Sequence, residues 1–584
     1  MKNEKQRSAA TRSLALDDAF KTFTLDQDKI LSPEETVKRF REKLSGVQMD
    51  VFKETLRIDN GRLGIPVYLS RCGAAAQRII GTKKQMGKGA TPQQAEASAV
   101  MELAERFSFF SFVQDATHFQ RNTFAGIGDS AMAFELIARS VHDDSDDLPA
   151  SRRIFESLPF NWTWAFNLTR GSSVRIPFDW FFAINEFNGP SAGNCKEEAI
   201  LQGICEIVER HVSSVISHER LAVPAIRPET AQDPMVVEML AKYGRCGIHL
   251  AVSDFTLGMG IPSVGVLAYD PATFPDQSEI VWTAGTTPSP EKAFSRALTE
   301  VAQLAGDFNT SANYVASGLP KFRHLSDARY ITEPGTWVDL ASLPDVSHAN
   351  MRVEIENCLQ ALARRGLEVF LIETTHPQLR IPAYYTIIPG AHFRERSRAT
   401  SVAMFSARHI AHTLPPSAAI PALEAMDSAF PGRYYLQFYL GLTRLNAGEP
   451  EPALVHFRQA LEMNPDESEA PSIYSYMGLA LKETGRYSEA LEWLARGAAL
   501  DPERTDFHNL MGFCHFKRGE HEQAVAAFQR VIDLDPTSAI DYANLGVNYA
   551  ALGETEKAIH CLQMALTLDP GIDFARSHLA RLAG

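Results

Sequence analysis

The segment between Asn194 and Arg210 has the periodicity of one amphipathic helix. Its apolar side chains recur at helical spacing and form one face, which predicts that this face anchors the helix in a core. The opposite face carries polar side chains that fall within roughly 80° of one another, at about 100° per residue. Carboxylates in such a row repel, which costs stability unless cations or solvent offset the charge. The polar row is Glu198, Gln202, Glu206 and Glu209, and the apolar face is Ile200, Leu201, Ile204, Ile207 and Val208.

A second acidic helix is predicted upstream, from about Pro92 to Phe112. Ser98, Glu102 and Glu105 stand at i, i+4 and i+7 and therefore share one of its faces. One such helix alone is most often a solvated surface with a Glu–Arg pair four residues apart. Two helices with this pattern in one region favour a shared acidic site instead.

The chain around these helices is predicted to be a large mixed α/β domain, because helical and strand-like runs alternate between residues 46 and 400. A helix with Ser32 as its N-cap precedes this region and runs to about Leu44. A further helix begins near Ser289 and carries Arg296. The predicted strands are 65–69, 162–168, 174–177, 249–254, 263–269, 280–285 and 368–373, and the predicted loops are 87–91 and 188–193, the second followed by Asn194 as an N-cap.

Beyond residue 430 the sequence repeats itself. Glycine, alanine and proline positions recur at intervals of 37, 34 and 34 residues, and each proline follows Asn or Asp. A helix-turn-helix unit of this length, with small residues where two helices touch, is the tetratricopeptide pattern. We therefore predict an all-α solenoid of four repeats and a capping helix over 431–584, whose concave surface binds a partner protein or a second copy of the chain. The positions are Gly441, Gly478, Gly512 and Gly546; Ala453, Ala490, Ala524 and Ala558; and Pro465, Pro502, Pro536 and Pro570.

Two stretches are predicted to lie outside these domains. Residues 1–28 are polar and are expected to form a flexible tail. Residues 406–430 are rich in proline and alanine and are expected to form a linker between the α/β domain, 29–405, and the repeats.

Composition narrows the class of protein. Of the 584 residues, 45% are hydrophobic and 22% charged, as in ordinary globular proteins. The net charge of −14 argues against nucleic-acid binding by bulk electrostatics. The cysteines lie apart without a CxxC pair, which predicts reduced thiols and no zinc site. We expect neither a secretion signal nor a bilayer-spanning stretch, and therefore a cytoplasmic protein without membrane contact.

The two acidic helices predict a magnesium-dependent nucleotide site. Mg²⁺ accepts one or two carboxylates and completes its coordination with water and phosphate oxygens. The sequence contains no Walker loop and no kinase signature, and Gly87-Lys88-Gly89 alone is a weak phosphate-loop signal. The carboxylates expected to converge on the cation are Glu102, Glu105, Glu198, Glu206 and Glu209.

The sequence resembles YcaO proteins over roughly residues 29–400. Two long, gapped motifs end at the acidic helices, and a shorter N-terminal match resembles a family member described as an accessory factor for β-methylthiolation of a ribosomal protein. The two long motifs are specific when they occur together. The matching residues are Lys29-x6-Thr36 with Arg39-Phe40-x2-Lys43-Leu44; Gly87-Lys88-Gly89-Ala90-Thr91 with Gln94-Ala95-x-Ala97-Ser98-Ala99-x2-Glu102-x2-Glu105-Arg106; and Asn188-Gly189-x2-Ala192-Gly193-Asn194-x3-Glu198-Ala199-x2-Gln202-Gly203-x2-Glu206-x2-Glu209-Arg210.

The resemblance implies which residues hold the cofactors, ATP and Mg²⁺. For Lys29 and Arg296 taken singly, an ordinary surface cation is the alternative. No catalytic base or nucleophile is singled out. Mg²⁺ would be held by Glu102, Glu105, Glu198, Glu206 and Glu209, and ATP would contact Lys29, Thr36, Ser98, Asn194, Gln202, Arg210 and Arg296.

The resemblance also implies a reaction at a backbone amide of a peptide or protein. A nucleophile attacks the carbonyl, and the oxygen is phosphorylated by ATP and leaves. A neighbouring side chain gives an azoline, and an external sulfur donor gives a thioamide. Azoline-forming members end in a proline-rich PxPxP tail, whereas no proline follows Pro570 here, which favours the accessory, thioamide-type or unassigned branches of the family.

Three functions therefore stay open. The first is an ATP-dependent amide-modifying enzyme that docks a protein through its repeats. The second is an accessory factor for ribosomal-protein β-methylthiolation, with a sulfur-transfer or methylthiotransferase partner. The third is a non-catalytic scaffold that binds ATP only as a conformational switch.

Overall fold

The computed structural model describes residues 13–81, 85–311, 313–314, 316, 318–394 and 400–583. These residues form two compact units. The described residues up to 144, together with those from 156 to 394, make up the α/β unit. Residues 145–155, together with those from 400 onward, make up the helical unit. The chain therefore enters the helical unit at residue 145, returns to the α/β unit at 156, and enters the helical unit again before residue 400.

The helices in the first 364 residues include those predicted to begin near Ser32, Pro92, Asn194 and Ser289. The first begins at Pro33, where Ser32 Oγ accepts a hydrogen bond from the Glu35 N–H (3.2 Å), as expected of an N-cap. The bounds are α1 Pro33–Ser45, α2 Ala74–Ile80, α3 Pro92–Gln114, α4 Phe124–Ile127, α5 Phe134–Arg139, α6 Leu148–Ser157, α7 Phe178–Asn185, α8 Lys196–Glu219, α9 Pro234–Arg245, α10 Pro290–Ala305, α11 Arg329–Thr332 and α12 Met351–Arg364.

Strands in the described part of the chain form three sheets. Their bounds are β1 Phe52–Arg57, β2 Val67–Cys72, β3 Gln85–Lys88, β4 Gln120–Asn122, β5 Phe160–Asn167, β6 Ser172–Pro177, β7 Pro190–Ala192, β8 Ala225–Arg227, β9 His249–Asp254, β10 Ser263–Tyr269, β11 Val281–Thr286, β12 Trp337–Asp339, β13 Phe370–Glu373 and β14 Ala383–Ile387. The sheet orders are β1-β2-β3, β11-β10-β9-β8-β12 and β4-β5-β13-β14-β7, with β6 also paired to β5. Neighbours are antiparallel except β8 and β12, which are parallel.

Residues 13–28 differ from the flexible tail predicted over 1–28, of which residues 1–12 lie outside the described part of the chain. Ala19 and Asp26 are buried, at 8% and 1% exposed. Lys21 forms salt bridges with Asp28 and Glu354, at 2.6 and 2.5 Å. The polar side chains of this stretch make contacts within the α/β unit. A polar composition is equally compatible with a solvated tail, so composition alone could not predict these contacts.

The predicted loop 87–91 also differs, since its first two residues belong to β3. Gly87 and Lys88 pair with Tyr68 and Val67 of β2. The small side chain at Gly87 is required by packing on a helix, as described below, and not by a turn.

Residues 406–430, predicted as a linker, lie instead in two helices of the helical unit, α13 Val402–Thr413 and α14 Pro416–Ala429. Alanine favours helix, and Pro416 stands in the first turn, where its missing N–H is not needed. Leu423 and Met426 are buried, at 0% and 3% exposed. Pro416 therefore begins a helix and Pro421 lies inside it, so these prolines do not mark a linker between two domains.

The repeats fold as the predicted tetratricopeptide helices. A Cβ at Gly478 would lie 2.3 Å from Leu494 Cδ2, so the paired helices need glycine to approach this closely. The mixed α/β region followed by a helical repeat region confirms the predicted fold class. No helix within the described ranges is both long and apolar enough to cross a membrane. The bounds are α15 Tyr434–Asn446, α16 Pro450–Glu462, α17 Ala470–Glu483, α18 Tyr487–Leu500, α19 Thr505–Lys517, α20 His521–Leu534, α21 Ala539–Ala551, α22 Thr555–Leu568 and α23 Asp573–Ala583.

Candidate functional site

Three helices, each anchored on a different sheet, carry most of the predicted site residues. Helix α3 packs on β2 and β3, α8 on β7 and β14, and α10 on β10 and β11. Helix α8 also contacts β11, and α10 also contacts β3. Helix α3 reaches its sheet because Gly87 has no side chain: a Cβ there would lie 2.1 Å from the Ala99 nitrogen. The site therefore lies where the three sheets approach one another.

Helix α8 contains most of the predicted acidic segment and extends beyond it to Glu219. Its N-cap is Cys195 and not the predicted Asn194, because Cys195 Sγ accepts a hydrogen bond from the Glu198 N–H (3.4 Å). The predicted apolar face is buried, which leaves the polar row toward the site. The buried residues, each at most 8% exposed, are Ile200, Leu201, Ile204, Ile207 and Val208.

Three carboxylates of α3 and α8 form the acidic centre of the site. Burial raises the pKa of Glu105 to about 8; Arg106 opposes this shift, and the carboxylates of Glu206 and Glu102 add to it. Burial also raises the pKa values of Glu102 and Glu206. The Glu105 side chain is still 16% exposed, so solvent reaches the centre. A bound cation would relieve the repulsion between these carboxylates.

Helix α10 contributes the guanidinium of Arg296. Its Nε donates to Glu209 Oε2 (3.0 Å), and the Thr286 N–H donates to the same oxygen (3.2 Å). With the amide oxygen of Gln202 turned toward α10, that oxygen accepts from Arg296 Nη1 and Nη2 at 2.9 and 3.2 Å. These contacts join α8 to α10 and bring three predicted site residues together.

Lys88 and Arg106 also lie in the site, although sequence analysis assigned no role there to either. Lys88, on β3, forms an ion pair with Glu300 of α10. Burial, together with the nearby charge of Arg296, lowers the pKa of Lys88 to about 7. Arg106 Nε lies 3.4 Å from Glu105 Oε1. Both residues belong to the motifs that resemble the family, so the Gly-Lys-Gly and Glu-Arg sequences could have indicated that they lie in the site.

The N-terminal end of α8 forms a second corner of the site. Asn194 Nδ2 donates to Thr36 Oγ1 (3.0 Å) and to Glu198 Oε1 (3.2 Å). Lys29 Nζ lies 3.6 Å from the same carboxylate oxygen. Glu198 is only 4% exposed, so its charge is compensated by these neighbours and not by bulk water. The structure thus places Lys29, Thr36, Asn194 and Glu198 in direct contact.

Ser98 and Arg210 complete the predicted set. Ser98 lies one turn before Glu102 on α3 and is partly exposed. Arg210 Nη1 lies against Gly318, where a Cβ would be 2.2 Å away. Among the described residues, buried Arg210 Nε has no hydrogen-bond partner. A buried donor left without a partner costs about 1–3 kcal/mol, so this atom favours a bound anion.

The side chains fit magnesium and a nucleotide in their chemistry, without forming a closed coordination shell. Within the described ranges, no group of three or more His, Cys, Asp or Glu side chains could hold a metal ion as placed. Glu198 and Glu209 meet Lys29 and Arg296 instead. Carboxylate oxygens are nevertheless the donors that Mg²⁺ prefers, and the cations beside them suit phosphate. The assignment of each residue to ATP or Mg²⁺ stays a prediction.

The fold and the site together define the class of protein. It is a mixed α/β protein with an acidic centre flanked by cations, followed by tetratricopeptide repeats. Residues 86–392 match the family described as YcaO cyclodehydratase, ATP- and Mg²⁺-binding. The chain belongs to the YcaO family. Residues 444–514 and 503–570 match tetratricopeptide repeat families. The predicted family, the repeat array and the cofactors, ATP and Mg²⁺, are thereby confirmed.

Several known proteins are similar to this chain. An uncharacterized protein of Methanothermobacter thermautotrophicus is 28% identical over 379 residues, which is 61% of this chain and 93% of that protein. The ribosomal protein S12 methylthiotransferase accessory factor YcaO of Escherichia coli is 27% identical over 246 residues, 38% of this chain and 40% of that protein. A solved heterocyclase in complex with substrate and cofactor has a TM-score of 0.54 at 23% identity, over 67% of this chain and 56% of that one. This last likeness is one of fold.

Proposed function

We propose that the protein uses Mg-ATP to modify a backbone amide of a peptide or protein, by thioamide- or azoline-type chemistry. The observation that carries this proposal is the acidic centre of α3 and α8, which Arg210 and Arg296 flank, together with Lys29 beside Glu198 at the start of α8. Membership of a family described as cyclodehydratases that bind ATP and Mg²⁺ supports the reaction class.

The site residues divide between metal and nucleotide in this proposal. Glu102, Glu105, Glu198, Glu206 and Glu209 would hold Mg²⁺, and Lys29, Thr36, Ser98, Asn194, Gln202, Arg210 and Arg296 would contact ATP. When bound, Mg-ATP supplies the phosphoryl group that makes an amide oxygen a good leaving group.

The protein side chains bind and orient the reactants. The contacts of Arg296 with Gln202 and Glu209 hold α10 against α8, so that the Arg296 guanidinium faces the Glu209 carboxylate. Arg210 Nε, which has no partner among the described residues, can donate to a phosphate oxygen. Arg106 keeps its positive charge beside the acidic centre. Lys88, whose pKa burial lowers to about 7, can hold or release a proton at Nζ there. Both side chains lie where charge develops on a transferred phosphoryl group.

Calorimetric titration of ATP, with and without Mg²⁺, tests the site on the full chain. We expect binding that requires Mg²⁺ and that weakens at least about tenfold, or 1.4 kcal/mol, in Glu206→Ala. Glu219→Ala is the matched control, because Glu219 is an exposed glutamate on the same helix. Mg-ATP affinity in Glu206→Ala equal to that of the wild type would contradict the proposed metal site.

A second candidate function is accessory: support of ribosomal-protein β-methylthiolation by a separate enzyme. The likeness to the Escherichia coli accessory factor favours it, although that likeness spans 38% of the chain. Here the helical unit would bind a sulfur-transfer or methylthiotransferase partner, because tetratricopeptide repeats present an extended surface for proteins. Self-association through the same surface is the alternative, which sedimentation of the purified chain distinguishes.

A non-catalytic scaffold differs from an amide-activating enzyme in one measurable property. An amide-activating enzyme releases phosphate in proportion to modified peptide, whereas a scaffold binds ATP and releases none. Phosphate release by the wild type with candidate peptides and a sulfide donor, compared with Glu206→Ala, separates these functions.

A further inference from the structure

Residues 23–29 form a closed loop beside the site, which we call the Asp26 loop. Phe23 and Lys29 pair at its base: the Lys29 N–H donates to the Phe23 carbonyl (2.8 Å), and the Phe23 N–H donates to the Lys29 carbonyl (3.1 Å). Asp26 lies between them along the loop and is 1% exposed. A carboxylate this deeply buried needs protein partners in place of water.

Asp26 finds those partners at two of the three site helices. Its Oδ2 accepts from the Ala90 N–H (2.6 Å), directly before Thr91, the N-cap of α3. Its Oδ1 accepts from the Ser295 hydroxyl (2.8 Å), and Ser295 precedes Arg296 on α10. One side chain therefore joins the start of the acidic helix α3 to the helix that carries Arg296.

Two lysines connect the rest of the loop to the site helices. Lys292 Nζ, on α10, donates to the carbonyls of Thr24 and Leu25, at 2.7 and 2.8 Å. Lys29 Nζ, at the base of the loop, lies 3.6 Å from Glu198 Oε1 near the start of α8. The Asp26 loop thus contacts α8, α10 and Ala90, the residue before the N-cap of α3.

We propose that Asp26 is a positioning residue for the nucleotide site, which it serves by fixing the loop that holds Lys29 beside Glu198. The inference rests on the proposed Mg-ATP site and deepens it. Asp26 itself touches no nucleotide; it acts through Lys29. Both oxygens of Asp26 accept hydrogen bonds, so an amide of the same shape would turn an NH₂ group toward one of its two donors.

Calorimetry of Mg-ATP with the full-length Asp26→Asn variant tests this role. We expect affinity at least about fivefold weaker than in the wild type, because Lys29 loses its fixed position. Asp18→Asn is the matched control: Asp18 lies in the same N-terminal segment and accepts from Asn350 and Arg352 (2.6 and 2.8 Å), but it is half-exposed and bonds no residue of α3, α8 or α10 among the described contacts. Its affinity should stay within twofold of the wild type.

A double-mutant cycle separates positioning from general damage to the fold. In a Lys29→Ala background, Asp26→Asn should weaken Mg-ATP binding by less than twofold, since its effect passes through the missing lysine. Multiplicative losses in the double variant would overturn the proposal. If Asp26→Asn does not fold, Ser295→Ala replaces it, because that change removes one donor and leaves the carboxylate in place.

The outcomes for the loop and for the site are distinct. Wild-type protein that binds Mg-ATP, with Asp26→Asn or Ser295→Ala binding equally well, would overturn the positioning role and leave the proposed function intact. Wild-type protein that binds no Mg-ATP would overturn the proposed function and this inference with it.

Discussion

The two units use their interiors differently. In the helical unit, Gly441, Gly478, Gly512 and Gly546 each face an apolar side chain of the paired helix, and the same contact recurs from repeat to repeat. In the α/β unit, carboxylates and cations from distant segments meet inside the fold. The apolar packing of the helical unit stabilises the fold at each repeat. The α/β unit, in contrast, holds like-charged carboxylates close together. The repulsion between the buried carboxylates of the site therefore lowers the stability of the α/β unit.

The largest effect should come from equivalent arginine changes in the two units. Arg296→Ala leaves Glu209 buried without its partner and should lower the free energy of unfolding by about 3–5 kcal/mol. Arg486→Ala removes a surface pair with Glu489 and should cost at most about 1 kcal/mol. Denaturant unfolding measures both changes. Mg²⁺ should restore part of the Arg296→Ala loss, since it can neutralise Glu209; no response to Mg²⁺ would contradict the electrostatic contrast.

A core truncation in the helical unit should come next in size. Leu494 is 0% exposed, and Leu494→Ala should lower the free energy of unfolding by about 2–5 kcal/mol, because it leaves a cavity beside Gly478. Leu500→Ala, at a half-exposed leucine on the same helix, is the control and should change little. Circular dichroism follows the unfolding. Mg-ATP affinity should match the wild type in both variants. A lower affinity in Leu494→Ala would contradict the prediction that nucleotide binding is independent of packing in the helical unit.

A smaller effect concerns pH. The His392 ring stacks on His142 with centroids 3.7 Å apart, and burial lowers the pKa of His392 from 6.5 to about 3. Below pH 6.5 the His392 ring therefore binds a proton in the unfolded chain, but in the folded unit it does so only near pH 3. The free energy of unfolding falls as the pH drops from about 6.5 toward 3. At pH 5 the loss from this residue should be about 1–2 kcal/mol.

Tryptophan fluorescence measures this pH effect in the α/β unit, where Trp162, Trp164, Trp180, Trp282 and Trp337 lie, against Trp493 in the helical unit. His392→Gln should make the pH dependence of unfolding shallower. His560→Gln, at an exposed histidine of the helical unit, should leave it unchanged. Equal slopes in the wild type and His392→Gln would show that the stack has no part in acid sensitivity.

Sequence alone could predict the features that depend on local periodicity. The strands at 249–254 and 263–269 have the bounds expected, and the recurring glycines define the repeat helices. The acidic row of α8 was predictable because helical spacing fixes which side chains share a face. The linker predicted at 406–430 was wrong for a local reason. Proline is disfavoured in the interior of a helix, but the first turn of a helix accepts it.

The rest of the candidate site depends on contacts between distant residues, which periodicity does not contain. Asp26 bonds Ser295 across 269 positions, and Lys88 of β3 pairs with Glu300 of the distant helix α10. Polar residues near the N-terminus resemble a solvated tail until their partners are known. Contacts between residues that are distant in the sequence are therefore what sequence analysis missed.

The passage of residues 145–155 into the helical unit has a consequence for synthesis of the chain. Arg433 pairs with Asp147 across 286 positions, so this short segment leaves the ribosome long before its partner exists. At about 5–20 residues per second, the wait is roughly 15–60 s. For most of that interval the segment is followed only by α/β-unit sequence, since residues 400–432 of the helical unit are made last, and the nascent protein must keep the segment accessible. Neither unit can be completed simply in the order in which it is translated.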